Sequence, residues 1–129
     1  MIEPIKILGV PVHPMTMAEA VNSLEQRMLG GEQTFVITAN AEIIMMCQDD
    51  AEYNNIISKQ AELVLPDGAC AVWAGRHLGY KVPERVAGFD LYNQLLALSA
   101  QKGYKAYFFG GSPGIAEAAK AKSEEMYPG

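Results

Sequence analysis

Along this chain the apolar positions switch repeatedly between the two-residue period of strands and the 3.6-residue period of helices. Ile5 to Val12 is apolar and β-branched, interrupted by Gly9 and Pro11, which predicts a short strand or a bent pair of strands. Thr16-Met17-Ala18-Glu19 has the form of a capping box, with a hydroxyl for one orphan N–H and a carboxylate reaching back. Met17, Ala20, Val21, Leu24 and Met28 then recur at helical spacing until Gly30-Gly31 ends the helix. Thr34 to Thr38 reads as a strand buried on both faces. Ala41 to about Ser58 is helical, with Ile43, Met46, Cys47, Tyr53 and Ile57 on one stripe and a break near Asp49-Asp50. Leu63 to Leu65 is a short strand stopped by Pro66. Gly68 to Leu78 is a helix holding Trp73, and Gly79 to Ala87 is a polar, basic connection. Asp90 to Gln101 is a helix with Leu91, Leu95 and Leu98 in phase and Gly103 as its C-cap. Tyr104 to Phe109 reads as a fourth strand, and Ser112, with Pro113 at the first helical position, opens a last helix running to about Met126.

Four strands alternating with helices predict an α/β fold, a mainly parallel sheet flanked by helices, in a single domain over residues 1–129. The last residues, Tyr127-Pro128-Gly129, are a turn signal where a doubly wound sheet would supply another strand. The expectation is the N-terminal part of a longer α/β protein, or a shortened variant of one. Its uncovered sheet edge and helix faces would suit homo-oligomerisation.

Composition narrows the functional classes. Half of the residues are apolar and 19% are charged, which excludes a disordered chain. No uninterrupted apolar run, Ile43 to Cys47 and Ala69 to Ala74 included, comes near the length of a membrane span, and no basic segment precedes an apolar run at the N-terminus as in a signal peptide. The net charge of −5 is uneven: acids dominate up to residue 70, and Arg76, His77, Lys81 and Arg85 form a local basic cluster beyond it. Nucleic-acid affinity rests on neutralising many phosphates, so no nucleic-acid partner is expected, although one small anion could be held. Cys47 and Cys70 sit in apolar helical patterns without CxxC or zinc spacing, which fits a reduced, cytoplasmic setting.

In open parallel sheets, ligands bind beyond the carboxyl ends of the strands. Here those ends carry Thr38-Ala39-Asn40, Pro66-Asp67-Gly68 and Gly110-Gly111-Ser112-Pro113-Gly114. Asp67 is the sharpest residue: it follows an apolar strand and precedes a helix, where a carboxylate is held in place and can serve as a general base. Capping of the 68–78 helix is the commoner use of an aspartate there. Thr38 and Asn40 could bond a sugar or a base edge, and Asn40 is equally placed to cap the next helix. Arg85 could hold a diphosphate bidentately, though a solvated arginine is the default. Asp90 has the position of an N-cap. The glycine loop at 110–114 offers N–H groups at a helix start but matches neither G-x-G-x-x-G nor the P-loop. His13 and His77 stand alone and read as structural or exposed, and no D-x-D, HExxH or G-x-S-x-G is present. No cofactor and no bound metal are expected.

Together Thr38-Ala39-Asn40, Pro66-Asp67-Gly68, Arg85-Val86-Ala87-Gly88-Phe89-Asp90-Leu91 and Phe108-Phe109-Gly110-Gly111, in this order, resemble the WecG/TagA/CpsF glycosyltransferases. The opening Ile7-Leu8-Gly9-Val10-Pro11-Val12 and Met17-Ala18-Glu19-Ala20-Val21 are similar as well. The resemblance implies a Rossmann-like α/β fold of its own kind. It also implies metal-independent, inverting transfer of an N-acetylmannosamine-type sugar from UDP to the 4-hydroxyl of lipid-diphosphate-linked N-acetylglucosamine. Such transfer serves teichoic acid, common antigen or capsule assembly, and the acceptor is carried on a polyprenyl diphosphate. By the same resemblance Asp67 is the catalytic base, while Thr38, Asn40, Asp90, Gly110 and Gly111 belong to substrate binding and Arg85 meets a diphosphate. Family members continue with further strands, a Pro-Lys-Gln-Glu motif and a basic, apolar tail that docks at the inner face of the cell membrane, none of which is in this sequence. The alternative is a nucleotide-binding α/β module, or an inactive fragment, in which Asp67 and Asn40 are only caps. A Rossmann oxidoreductase using the 110–114 loop for a dinucleotide is a weaker rival, because the glycine spacing is wrong.

Overall fold

The structure, a computed structural model, describes residues 2–129. The elements in chain order are β1 (Ile5–Ile7), β2 (Val10–Val12), α1 (Met17–Leu29), β3 (Val36–Ala39), α2 (Ala41–Asp49), α3 (Ala51–Lys59), β4 (Leu63–Pro66), α4 (Ala69–His77), α5 (Gly88–Lys102) and α6 (Ile115–Met126). The chain divides into two compact units, Met1–Leu91 and Tyr92–Gly129.

The first unit is mixed α/β, consistent with a Rossmann-like arrangement, and contains the expected parallel pairing. β3 and β4 run parallel in the register Val36↔Leu63 to Ala39↔Pro66. β1 and β2 form an antiparallel hairpin, Ile5↔Val12 to Ile7↔Val10, so the opening segment is the bent pair of strands. Its two-residue turn, Leu8-Gly9, has positive φ at both positions (48° and 80°), as a type I′ hairpin turn requires. The hairpin reaches β4 through His13: its N–H donates to the Val64 carbonyl (2.7 Å), and the Val64 N–H donates to Nδ1 of its ring (3.0 Å). An imidazole therefore takes the place of a backbone carbonyl in extending the sheet contact.

The core forms where the hairpin, the parallel pair and α2, α3 and α4 meet. Ile57, Leu63, Val64, Leu65, Val10, Val12 and Val86 are almost wholly buried. Each such aliphatic side chain contributes about 1.5–3 kcal/mol of apolar transfer. α3 packs on β2 and α4 on β1. Gly75 makes the second contact possible, because a Cβ there would lie 2.6 Å from Val82 Cγ2 and 3.1 Å from Ile5 Cδ1.

Helix boundaries follow local chemistry. Thr16 and Glu19 form the complete capping box of α1. Asp50, in extended conformation, ends α2 and accepts from the Tyr53 N–H (2.9 Å) to start α3, which is the expected break. The 79–87 connection has no regular structure but is tied down along its length. Arg76 donates to the carbonyls of Val82 (3.0 Å) and Pro83 (3.2 Å), Glu84 accepts from the Met17 N–H (2.7 Å), and the Val86 N–H donates to the Pro66 carbonyl (2.8 Å).

Three expectations need correction. β3 is half-buried at Val36, Ile37 and Thr38 rather than enclosed, because β4 is its one strand neighbour among the described residues. Residues 104–109 form no strand: a strand exists by its ladder, no other strand pairs with this segment among the described residues, and Tyr107 and Phe109 are about nine-tenths exposed. The strands of the described residues thus form two two-stranded pieces, β1–β2 antiparallel and β3–β4 parallel. Finally, α6 starts at Ile115 behind Gly114 (φ 90°) rather than at Pro113, since Ser112 closes a turn by accepting the Ile115 N–H through its carbonyl.

In the second unit, the remainder of α5 and α6 are joined by a Tyr92–Ser123 hydroxyl contact (3.2 Å) and by Tyr127 Oη donating to Asn93 Oδ1 (3.1 Å). Tyr92 also meets Phe108 edge-on. No residue of this unit is fully buried.

Candidate active site

The parallel pair β3–β4 brings two chain segments to one edge, and the fixed end of the 79–87 connection joins them there. Asp67 leaves β4 with its N–H donating to the Ala39 carbonyl (3.1 Å). Gly68 then turns the chain into α4 with φ 90° and ψ 153°, a conformation that a side chain would strain. Gly68, not Asp67, is the N-cap of α4, and no side chain caps that helix. The Asp67 carboxylate crosses instead to the first residue of α5, where Oδ2 accepts the Gly88 N–H at 3.0 Å. Oδ1 has no hydrogen-bond partner among the described residues. One oxygen is therefore anchored by a helix N-terminal amide while its twin stays available in a half-buried position.

Thr38 completes this cluster. A Cβ on Gly88 would lie 2.8 Å from Thr38 Oγ1 and 3.1 Å from its Cγ2, so the glycine backbone sits flat against the threonine. Thr38, Asp67 and Gly88 come from segments far apart in sequence and meet at the carboxyl ends of the parallel strands. Asn40 stands at the same edge, but its Oδ1 caps α2 by accepting the Ile43 N–H (2.9 Å). Asp90 is exposed in the first turn of α5, two residues inside the helix start rather than at its cap. Arg85 is exposed and lines a cavity of about 700 Å³ together with Ala69, Trp73, Arg76 and His77; Asp67 does not line it. Gly110 and Gly111 belong to the second unit, exposed and at φ 109° and 77°, and enter none of these contacts.

The 5–129 segment matches the sequence profile of the glycosyl transferase WecG/TagA/CpsF family. The chain belongs to that family. A WecG/TagA/CpsF relative from Bacillus spizizenii, named N-acetylglucosaminyldiphosphoundecaprenol N-acetyl-beta-D-mannosaminyltransferase, is 30% identical over 95 residues, 74% of this chain and 37% of its own length. Proteins of the same name from Staphylococcus aureus are 27% identical over 127 residues, 96% of this chain and 49% of theirs. The chain thus spans about half, or less, of the length of these relatives.

Two features escaped the sequence reading. The Gly88 amide holds Asp67, although Gly88 lies inside a motif that the resemblance had marked. Trp73 and His77 stack at 4.9 Å with an interplanar angle of 11°, a pair whose i, i+4 spacing on α4 could have signalled it. His13, read as structural or exposed, is structural and buried. Among the described residues no group of three His, Cys, Asp or Glu side chains could hold a metal ion, and no helix is long and apolar enough to cross a membrane.

Proposed function

We propose that the polypeptide carrying this sequence is an inverting glycosyltransferase. It moves an N-acetylmannosamine-type sugar from UDP to the 4-hydroxyl of N-acetylglucosamine on a polyprenyl diphosphate, in the assembly of a surface polysaccharide such as teichoic acid, common antigen or capsule. The observation that carries this reading is the Asp67 carboxylate, with Oδ2 fixed by the Gly88 amide and Oδ1 unengaged at the ligand-binding edge of the parallel pair. Family membership and the relatives' names support the substrate class.

An alcohol has a pKa far above neutrality, so its attack on the anomeric carbon needs a base. Asp67 Oδ1 takes the proton from the acceptor hydroxyl as the new C–O bond forms and the bond from the anomeric carbon to the UDP oxygen breaks. A positioned base of this kind contributes ~10²–10⁴-fold. The carboxylate also steadies the oxocarbenium-like centre. A single displacement inverts the configuration and leaves no covalent intermediate. Thr38 and the amide of Asn40 orient the sugar nucleotide, and Asp90 contributes from the first turn of α5. Arg85 supplies a cation for a diphosphate without a metal. The substrates place the reaction in the cytoplasm at the inner membrane face.

The test is a transfer assay with UDP-N-acetylmannosamine and a short-chain lipid-diphosphate acceptor, run on this polypeptide and on its Asp67→Asn form. The asparagine form should keep its circular dichroism spectrum and lose at least ~10²-fold in turnover. Near-normal turnover removes Asp67 from the role. One observation favours a second reading, a non-catalytic nucleotide-binding module: Asn40 and one oxygen of Asp67 both serve helix starts. UDP binding with no transfer by the wild-type polypeptide would select it.

A further inference from the structure

The chain at 86–88 meets the end of β4 twice. The Val86 N–H donates to the Pro66 carbonyl (2.8 Å), and two residues later the Gly88 N–H donates to Asp67 Oδ2 (3.0 Å). This short clamp is rooted in the core on both sides: Val86 and Leu91 are buried, and the Leu91 N–H donates to the Ala87 carbonyl (2.9 Å). Packing on either side of Gly88 therefore sets where its amide stands. The backbone does not explain why residue 88 is a glycine. Unlike Gly68 or Gly114 it has no positive φ, and alanine is the better residue in a helix. What excludes a side chain is Thr38. A Cβ at residue 88 would lie 2.8 Å from Thr38 Oγ1, 3.1 Å from its Cγ2 and 3.2 Å from its Cβ. The threonine cannot turn out of this contact, because any staggered χ1 leaves at least one of its two branches there.

We propose that Gly88 is a positioning residue for the base, and that Thr38 is the stop against which it is set. The missing side chain lets the start of α5 close on Thr38 until its amide reaches Asp67. That amide takes one carboxylate oxygen and leaves Oδ1 for the acceptor hydroxyl. A general base acts only while its lone pair stays within hydrogen-bond reach of the proton, and a displacement of about 1 Å can cost ~10²-fold in rate. The inference deepens the transferase reading and rests on it for the chemistry of Asp67; the anchoring itself does not depend on it. Thr38 thereby acquires a second duty besides the sugar nucleotide, and a residue without a functional group enters the catalytic geometry.

The experiment compares the wild-type polypeptide with Gly88→Ala, Thr38→Ala and the double variant, because the harm of the first change should be undone by the second. Circular dichroism checks the fold. Amide exchange followed by NMR reads the bond, with Asp67→Ala as the unanchored reference. In Gly88→Ala the amide of residue 88 should lose at least ~ten-fold in protection, as in Asp67→Ala, while Val64 and Leu65 keep theirs. Thr38→Ala should retain the bond, and the double variant should regain it, since two of the three close atoms are gone. In the transfer assay Gly88→Ala should lower kcat ~10²-fold and change the KM for the sugar nucleotide less than about three-fold. The double variant should exceed the kcat of Gly88→Ala at least ~ten-fold. A purely structural role for Gly88 would not return turnover on truncation of a threonine assigned to substrate binding. The proposal is overturned if the residue-88 amide stays protected in Gly88→Ala, if kcat is unchanged when that bond is lost, or if the double variant recovers neither. Should Gly88→Ala fail to fold, the double variant decides: folding with the bond restored supports the stop, and failure to fold overturns it. Loss and return of the bond in a polypeptide that transfers no sugar leaves Gly88 as the anchor of Asp67 and removes the transferase reading. Asp67-dependent transfer with the bond intact in Gly88→Ala does the reverse.

Discussion

Two side chains govern the behaviour of the first unit, and each acts through one backbone amide. Asp67 holds the start of α5, and His13 joins the hairpin to β4. Burial pushes the His13 imidazole below its usual value of 6.5. Its Nδ1 can accept the Val64 N–H only while that nitrogen is unprotonated. Above pH about 6.5 the ring is neutral in both the folded and the unfolded chain, and its contribution to stability is complete. As the pH falls below 6.5 the unfolded chain takes up a proton that the folded ring resists, so stability declines until the folded ring itself titrates. The urea midpoint of the wild type should therefore drop between pH 7.5 and 5.5. His13→Asn keeps an acceptor oxygen without a titrating group and should show a flatter profile. Parallel profiles for the two proteins would exclude His13 as the source.

At the scale of the element, the β1–β2 turn carries a conflict between local preference and sequence. A type I′ turn favours Asn-Gly, yet Leu8 occupies the first position at φ 48°, a conformation that a leucine adopts only under strain. Leu8 is mostly exposed, so core packing does not repay that strain. Leu8→Asn should raise stability by about 0.5–1 kcal/mol, read from the urea midpoint at unchanged slope. Elements of this kind also mark what could be read in the sequence. The capping box at Thr16 and Glu19, the Asp50 break between α2 and α3, and the strand ending in Pro66 are local chemistry, and all are present. Residues 104–109 have strand composition, but a strand is a relation between two segments, and the second one is not in the segment's own sequence. The site divides in the same way: Asp67 stood out by position, whereas its partner Gly88, 21 residues away, follows from how the 79–87 connection is anchored.

Over the whole molecule, burial is distributed unequally between the two units, and this sets their local stability. Every fully buried residue lies in the first unit, including all of β4. The second has none; its helices are held by tyrosine hydroxyl contacts and by exposed pairs such as Lys122–Glu125 (3.1 Å). Exposed ion pairs contribute only ~0–1 kcal/mol each, and aromatic edge contacts about 0.5–1.5 kcal/mol. Opening free energy follows buried apolar contact, so the amides of α6 should exchange through an opening of much lower cost than that of β3 and β4. Native-state hydrogen exchange should give protection in α6 at least ~10²-fold below that of Val64 and Leu65. Denaturant should reduce the β4 protection steeply, as expected for exchange through global unfolding, and the α6 protection only weakly. If α6 instead matched β4 in both magnitude and denaturant dependence, its stability would have to come from burial supplied by something other than the unit's own residues. The exposed Tyr107, Phe109 and Ile115 side chains would be the first place to look for it.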